Sequence, residues 1–312
     1  MYDNNSLVGG SPEQQINEQV IIVQLLVIIF LCINLLLVIT FFKKEYFYTT
    51  TRYILFAVTL LSDSFILFMS DVLLILTYYQ ITTMDVWLCI IISVAVFLYL
   101  MVTPVTLTAM TLERYVAICM PLRHGELCST RSTVYCILII HALSSVPCIV
   151  ILSTFFASAH LSFYTQYRIC TVEIFILYTW QDHIRSAVHQ FYFLMMCITI
   201  VFSYVKIMTV AKAASGEDKK STWKGLRTVI LHAFQLLLCL FRLWCPLIEA
   251  AVLQINFRIF NKVRYFNYIM FSLAPKCLSP LIYGLRDEMF FLELKKYALF
   301  GLYKRITEKG LS

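Results

Sequence analysis

A chain of 312 residues in which 60% are hydrophobic and only 14% are charged has too few polar side chains to cover a water-soluble domain of its size. The composition therefore excludes an ordinary soluble protein and indicates a surface that mostly faces lipid. The net charge of +7 fits retention of basic residues on one side of a membrane better than it fits nucleic-acid binding.

Apolar segments long enough to cross a bilayer, which takes about 20 helical residues, recur along the chain. We predict seven of them, at 20–42, 52–79, 87–113, 132–157, 187–211, 228–253 and 265–285. The polar segment before the first has no basic region, which argues against a cleaved signal peptide. We therefore expect an all-α seven-transmembrane helix bundle at 20–285, with an extracellular N-terminus at 1–19 and a cytoplasmic segment at 286–312.

The distribution of basic residues predicts the orientation of the bundle. With the N-terminus outside, the inner segments hold 18 of the 25 Lys and Arg residues and the outer segments hold 5, while Arg242 and Lys276 lie within spans. Basic residues are retained on the cytoplasmic side, so we expect the N-terminus to be extracellular and the C-terminus cytoplasmic. The sequon at Asn4 then lies on the side where N-glycosylation occurs.

The cysteines suggest one disulfide. Most of the eleven lie inside apolar spans, where cysteine behaves as a small hydrophobic residue. Cys89, at the outer start of the third span, and Cys170, in the loop between the fourth and fifth spans, face an oxidising compartment in this topology. We expect these two to be paired.

The segment after the seventh span has an amphipathic pattern. Phe290, Leu294 and Tyr297 share one helical face, with Lys295 and Lys296 beside it. This pattern predicts a short eighth helix that lies on membrane lipid at the cytoplasmic interface.

Polar residues inside the spans occur in a recognisable order. They are Asn34 in the first span, Asp63 in the second, Glu113-Arg114-Tyr115 at the end of the third, Trp244-Cys-Pro246 in the sixth and Ser279-Pro-Leu-Ile-Tyr283 in the seventh. With Cys89 above the third span, this set resembles rhodopsin-like (class A) G-protein-coupled receptors over the whole chain. Ser279 stands where that family usually has asparagine.

Further stretches narrow the resemblance to odorant receptors. They are Arg114-Tyr-Val-Ala-Ile-Cys-Met-Pro-Leu-Arg-His124, Ser203-Tyr204 and Pro280-Leu-Ile-Tyr-Gly-Leu-Arg286. The stretches Thr111-Leu-Glu-Arg-Tyr, Leu231-His-Ala-Phe-Gln and Leu243-Trp-Cys-Pro are most similar to the fish type.

The Glu113-Arg114 pair is a candidate switch. A guanidinium at the membrane edge must be paired or solvated, and Glu113 offers a carboxylate within reach while the bundle is closed. The resemblance implies that opening frees Arg114 to form part of a G-protein docking cavity beside Tyr115, with Tyr204 and Tyr283 swinging in to support it. The alternative is that the pair merely anchors a helix end at the lipid headgroups.

A second candidate site lies at mid-membrane depth. It comprises Asn34, Asp63, Lys276 and Ser279, and the resemblance implies a sodium pocket around Asp63. Lys276 lies one helical turn before Pro280, and we expect its ammonium to sit near Asp63 and replace the ion, because a lone buried charge is costly. The alternative is that Lys276 reaches water elsewhere in the bundle.

The candidate ligand pocket comprises Asp71, Arg242, Trp244 and Glu249. The two carboxylates could meet a cationic ligand group and Arg242 an anionic one, or these charges could pair with each other or with water. Trp244 belongs to the Trp244-Cys-Pro246 motif of the sixth span, although aromatic side chains more often contribute to packing than to ligand recognition.

The function implied by the resemblance is chemosensory. A small odorant binds in the outer half of the bundle and shifts it toward a form that activates a heterotrimeric G protein of the olfactory stimulatory type at the plasma membrane. We expect no cofactor, no metal and no enzymatic activity, since no span histidine (His141, His189, His232) has a nucleophile motif beside it. A class A receptor for an amine or peptide remains the alternative, and the missing inverted repeat disfavours a transporter.

Overall fold

The computed structural model describes residues 12–78, 84–160, 163–164, 167–168, 170, 172–213, 216–276, 290 and 292–295. Its helices are α1 (Pro12–Phe41), α2 (Glu45–Thr49), α3 (Thr51–Tyr78), α4 (Val86–Cys119), α5 (Pro121–Leu127), α6 (Thr130–Ser158), α7 (Thr179–Ala213), α8 (Gly216–Ile255) and α9 (Phe257–Asn267). A 3-10 helix covers Val172–Phe175 and a π-helix covers Tyr268–Leu273. We call α9, the π-helix and the helical residues 274–276 together the seventh helix.

Five helices in this part of the chain are long and apolar enough to cross a membrane, and they match the first five predicted spans. Their membrane-crossing portions are Glu18–Phe41, Thr51–Leu76, Val86–Cys119, Thr130–Ser158 and Thr179–Val210. In four of them only 22–33% of the most apolar stretch is buried, against 50% in α4. Because α4 packs on α3, α6, α7 and α8, it is the central helix, and the others turn apolar side chains outward.

The last two predicted spans differ in their bounds. The 40-residue α8 is about 60 Å long at 1.5 Å per residue, and its short apolar stretch is Val229–Cys239. The helix begins at Gly216, before the predicted sixth span at 228–253, because the intervening segment contains Lys and Glu residues, which have high helix propensity. Asn256 separates α8 from α9 and caps the latter, accepting a hydrogen bond from the Arg258 backbone N–H at 2.8 Å.

The two ends of α4 define the two ends of the bundle. Cys89 and Arg114 are 25 residues apart in α4, a rise of about 37 Å. We call the corresponding ends of the bundle the Cys89 end and the Arg114 end.

A disulfide closes the Cys89 end. Cys89 and Cys170 are bonded, with their Cα atoms 5.4 Å apart, which confirms the predicted pair. Beside it, the two-residue strands β1 (Met84–Asp85) and β2 (Tyr167–Arg168) pair antiparallel. The loop before α7 is thus held across the start of α4.

An aromatic cluster organises the Arg114 end. Phe290, 1% exposed, packs edge-on against Phe47, with ring centroids 5.1 Å apart, and lies close to Tyr53. Lys44 forms an ion pair with Glu293. The predicted eighth helix is described only at residues 290 and 292–295, where the face bearing Phe290 packs on protein.

Candidate functional site

A buried ion pair joins three helices at the middle of the bundle. Asp63 of α3 is completely buried, and Lys276 of the seventh helix is 7% exposed. Lys276 Nζ lies 3.2 Å from Asp63 Oδ1, and the Thr103 hydroxyl of α4 donates to the same oxygen at 2.9 Å. The arrangement places a protein cation beside Asp63, where the sequence suggested that one would replace sodium.

Asn34 lies beside this pair but contacts a different residue. Its Nδ2 donates to Ser64 Oγ at 3.0 Å, and Ser64 in turn donates to the Leu60 carbonyl. Asn34 therefore ties α1 to α3 next to Asp63. Ser279, the remaining member of the predicted mid-membrane site, lies outside the described residues.

A cavity of about 50 Å³ opens above the ion pair, between α4, α7, α8 and the seventh helix. Its lining residues are Asp63, Leu100, Met101, Thr103, Pro104, His189, Tyr192, Phe193, Met196, Leu236, Cys239, Arg242, Phe271, Ser272, Pro275 and Lys276. The wall is mostly apolar, with a few polar groups facing in, which is the usual composition of a small-molecule site.

Two backbone irregularities help to shape the cavity. Pro104 lacks an N–H, so the Leu100 carbonyl loses its helical donor, and both residues line the space. On the opposite wall, Phe271 and Ser272 belong to the π-helix, in which the Ala274 N–H bonds to the Ile269 carbonyl. The wider turn changes which side chains of the seventh helix face the cavity.

Of the four predicted pocket residues, Arg242 lines the cavity and Trp244 does not. Successive residues of a helix are about 100° apart, so a residue two positions after Arg242 points to nearly the opposite side. Accordingly, Trp244 is 42% exposed on the outer surface of α8, where its ring meets Phe241 edge-on at 6.2 Å.

The two predicted acidic pocket residues also lie outside the cavity lining. Glu249 accepts a hydrogen bond from Asn267 Nδ2 at 3.0 Å, which links α8 to the end of α9. Asp71 in α3 has a buried Oδ1 with no hydrogen-bond partner among the described residues. Neither carboxylate forms an ion pair with Arg242 in that part of the chain.

The structure adds His189, which the sequence indicated only as a span histidine without a nucleophile motif. It lines the cavity from α7 and is 7% exposed, with its ring 5.3 Å from that of Phe97. Its Nε2 is buried and has no hydrogen-bond partner in the described part of the chain. A histidine within an apolar span was the signal in the sequence, but its direction was not predictable from spacing.

At the Arg114 end, Glu113 lies between two basic side chains. Its Oε2 is 3.5 Å from Arg114 Nε and its Oε1 is 3.5 Å from His124 Nε2. Neither of these nitrogens, both buried, makes a hydrogen bond to a described residue. Arg114 is therefore held by charge attraction at a distance longer than a charge-assisted hydrogen bond, without the shorter contacts of a strong pair.

Tyr115 and Tyr204 pack beside this pair in one hydrophobic cluster between α4, α7 and α8. Its buried members are Met196, Ile200, Ile207, Leu226, Val229 and Leu236. Met196 and Leu236 also line the cavity, so the cluster extends from the cavity to the Arg114 end. Tyr283, the third predicted tyrosine, lies outside the described residues.

Residues 33–283 match the family of 7 transmembrane receptors (rhodopsin family), and the chain belongs to this family. It is therefore a class A G-protein-coupled receptor, a multi-pass plasma-membrane protein with a seven-transmembrane bundle. Such receptors respond to a ligand, here expected to be a small molecule, and couple to a G protein. The chain is a signalling receptor and not an enzyme.

Comparison with individual relatives narrows the classification of the chain within this receptor family. The chain is 40% identical to Odorant receptor 131-2 of Danio rerio over 252 residues, 81% of this chain and 77% of the relative. It is 28% identical to Galanin receptor 2a of Danio rerio over 69% of this chain and 60% of that receptor. It is 25% identical to Galanin receptor type 2 of Mus musculus over 73% and 62%. The predicted resemblance to fish odorant receptors is confirmed.

Proposed function

We propose that this chain is an odorant receptor in which a small molecule enters from the Cys89 end, occupies the cavity and opens the Arg114 end to a G protein. The partner is a heterotrimeric G protein of the olfactory stimulatory type. Opening exchanges the Glu113–Arg114 contact for contacts with that partner.

One structural observation carries this proposal: the helices that line the cavity also form the cluster at the Arg114 end. Met196 and Leu236 belong to both, and the cluster continues to Tyr115 and Tyr204. A ligand that shifts α7 or α8 at the cavity must repack the same cluster beside Arg114, because packed interiors do not deform continuously.

Two features make a closed state that a ligand can displace. Arg114 is held at 3.5 Å from Glu113, so little hydrogen-bond energy opposes its release. The Asp63–Lys276 pair below the cavity keeps α3, α4 and the seventh helix together, so that motion is concentrated in α7 and α8.

The odorant assignment is favoured over a peptide ligand by the comparisons. The relative called an odorant receptor shares more identity, over more of its length, than the two galanin receptors. The galanin relatives nevertheless make a peptide the second candidate to be tested.

The orientation follows from the basic residues, of which the segments at the Arg114 side hold 18 and those at the Cys89 side 5. We infer that residues 1–19 are extracellular, with Asn4 glycosylated, and that 286–312 are cytoplasmic and contact lipid. Loss of a glycosidase-sensitive mass in Asn4→Gln tests this orientation, whereas a wild-type chain without such a mass contradicts the glycosylation.

The test of function is cyclic AMP in cells that express the chain with an olfactory-type G protein. Pools of water-soluble odorants and, separately, galanin peptides are applied to the wild type, to Arg114→Ala and to Arg258→Ala. Arg258 is exposed on α9 and serves as the matched control. Surface expression is measured for each variant.

We expect odorant pools to raise cyclic AMP in the wild type and in Arg258→Ala, with the response lost in Arg114→Ala. A response to galanin peptides alone would favour the peptide receptor. An odorant response that persists in Arg114→Ala would contradict the assigned switch.

A further inference from the structure

We propose that the cavity takes a small organic anion whose acidic group meets the guanidinium of Arg242, with His189 as a second polar contact. This inference rests on the proposed function, in which the ligand occupies the cavity, and it names the ligand's chemical class. It is based on the charges that face the cavity, on the unpartnered polar groups there and on the size of the space.

Arg242 brings an uncompensated positive charge to the cavity. Its electrostatic neighbours are Tyr268, Cys239 and Cys245, none of which is a carboxylate. Arg242 makes no hydrogen bond and no ion pair with any residue that the structure describes. Because arginine stays protonated in proteins and the half-buried Arg242 has no anionic partner there, the site favours an anion.

The other charged groups around the cavity do not offset Arg242. Asp63 and Lys276 both line the space but pair with each other at 3.2 Å, so their charges largely cancel. Asp71, on the neighbouring α3, interacts with Tyr268 and lies outside the lining. Glu249 is two helical turns from Arg242 and is engaged with Asn267. The lining as described is therefore net positive.

A second, independent observation at His189 indicates that the cavity binds a polar group of a ligand. Its Nε2 is buried and unpartnered in the part of the chain that the structure describes, although the side chain lines the cavity. Buried polar atoms in native proteins nearly always have a hydrogen-bond partner. An acid group between His189 and Arg242 would satisfy both side chains at once.

The volume and the lining of the cavity limit the size and the polarity of the rest of the ligand. The cavity of about 50 Å³ exceeds the roughly 10–15 Å³ that one water needs, so it has room for a compact organic ligand. Its remaining wall includes Leu100, Met101, Phe193 and Met196. A short-chain carboxylic acid suits this lining, since it combines a compact apolar body with one charged end.

The experiment measures binding to the purified, reconstituted full-length receptor. Thermal unfolding is followed in butanoate, 1-butylamine and 1-butanol, which share a four-carbon chain, and in chloride, against a buffer whose anion is too large for the cavity. The variants are Arg242→Gln, Arg242→Lys and, as the matched control, Arg258→Gln.

We expect butanoate to raise the unfolding temperature of the wild type and of Arg258→Gln, while the amine and the alcohol do not. Arg242→Gln should lose roughly 10- to 100-fold in butanoate affinity, the usual value of a hydrogen bond to a charged group, and Arg242→Lys should lose less. Arg242→Gln should also unfold at a slightly higher temperature without ligand, because a half-buried charge without a partner has been removed.

Three results would overturn the proposal: stabilisation by the amine in place of butanoate, full stabilisation by chloride alone, or butanoate affinity unchanged in Arg242→Gln. Binding is read without a G protein, so butanoate binding without any cyclic AMP response would count against the proposed function alone. Signalling by amines or alcohols that Arg242→Gln leaves intact would count against the anion alone.

Discussion

Replacing Lys276 with methionine is expected to leave the Asp63 carboxylate without its cation in the middle of the bundle. At the observed 3.2 Å the attraction between the two charges is about 5 kcal/mol for an effective dielectric constant of about 20. Removing one partner of a buried pair typically costs about 3–5 kcal/mol. The Thr103 hydrogen bond to Asp63 remains, so we expect a loss near the lower figure, about 3 kcal/mol.

The assay is thermal unfolding of the purified receptor in sodium chloride and in choline chloride. Lys276→Met should unfold several degrees below the wild type in choline and recover part of the difference in sodium, because the small ion can enter beside Asp63. The wild type should unfold at the same temperature in both salts. The double variant Asp63→Asn, Lys276→Met should be more stable than Lys276→Met alone, since no charge is left unpaired.

The reasoning would be refuted by a wild-type receptor that sodium stabilises over choline, with the effect abolished in Asp63→Asn. That result would mean that sodium still reaches Asp63 beside Lys276. A Lys276→Met variant as stable as the wild type in choline would equally show that the ion pair contributes little.

Cys89→Ser, which removes the disulfide across the Cys89 end, should lower the free energy of unfolding by about 2–5 kcal/mol, and reductant should no longer change its unfolding temperature. Phe290→Ala should lower the free energy of unfolding by about 3–5 kcal/mol because the ring is buried in the aromatic cluster. The control Leu292→Ala, at a 54% exposed position, should have little effect. Equal losses of stability in thermal unfolding of the two variants would argue against the packing of Phe290 on this cluster. Glu113→Gln should raise ligand-independent cyclic AMP, because it weakens the attraction that keeps Arg114 beside residue 113. Glu126→Gln, at an exposed position, is the control. Unchanged basal signalling in Glu113→Gln would argue against a role of the Glu113–Arg114 pair in stabilising the closed state.

The sequence was sufficient to predict the features that the bilayer imposes. A spanning helix needs a long apolar run, so the bounds of the first five spans could be predicted within about three residues, with two exceptions. The third span, in α4, continues to Cys119, beyond the predicted end at 113, and α7 starts earlier than predicted, at Thr179. The Cys89–Cys170 bond was predictable because topology left these two cysteines facing an oxidising compartment. Asp63 and Lys276 were predictable as neighbours because buried charges need partners.

Side-chain direction within the spans was much harder to predict. Inside a membrane both faces of a helix are apolar, so periodicity does not show that Arg242 faces the cavity while Trp244 faces outward. The π-helix at Tyr268–Leu273 also shifts the register of the seventh helix, and no residue type in this segment predicts a π-helix. The unpartnered nitrogen of His189 depends on packing between helices, which only the structure shows.

The most direct test of the account is nucleotide exchange on a purified heterotrimeric G protein by the reconstituted receptor, with an odorant from an active pool. Two variants separate the ends of the bundle: Arg114→Ala at one end, and Ser272→Leu, which fills the cavity from the π-helix. We predict that the odorant accelerates exchange with the wild type, that Arg114→Ala binds the odorant without accelerating exchange, and that Ser272→Leu loses both. Odorant-driven exchange that survives with the cavity filled would contradict the claim that a ligand in this cavity controls the Arg114 end.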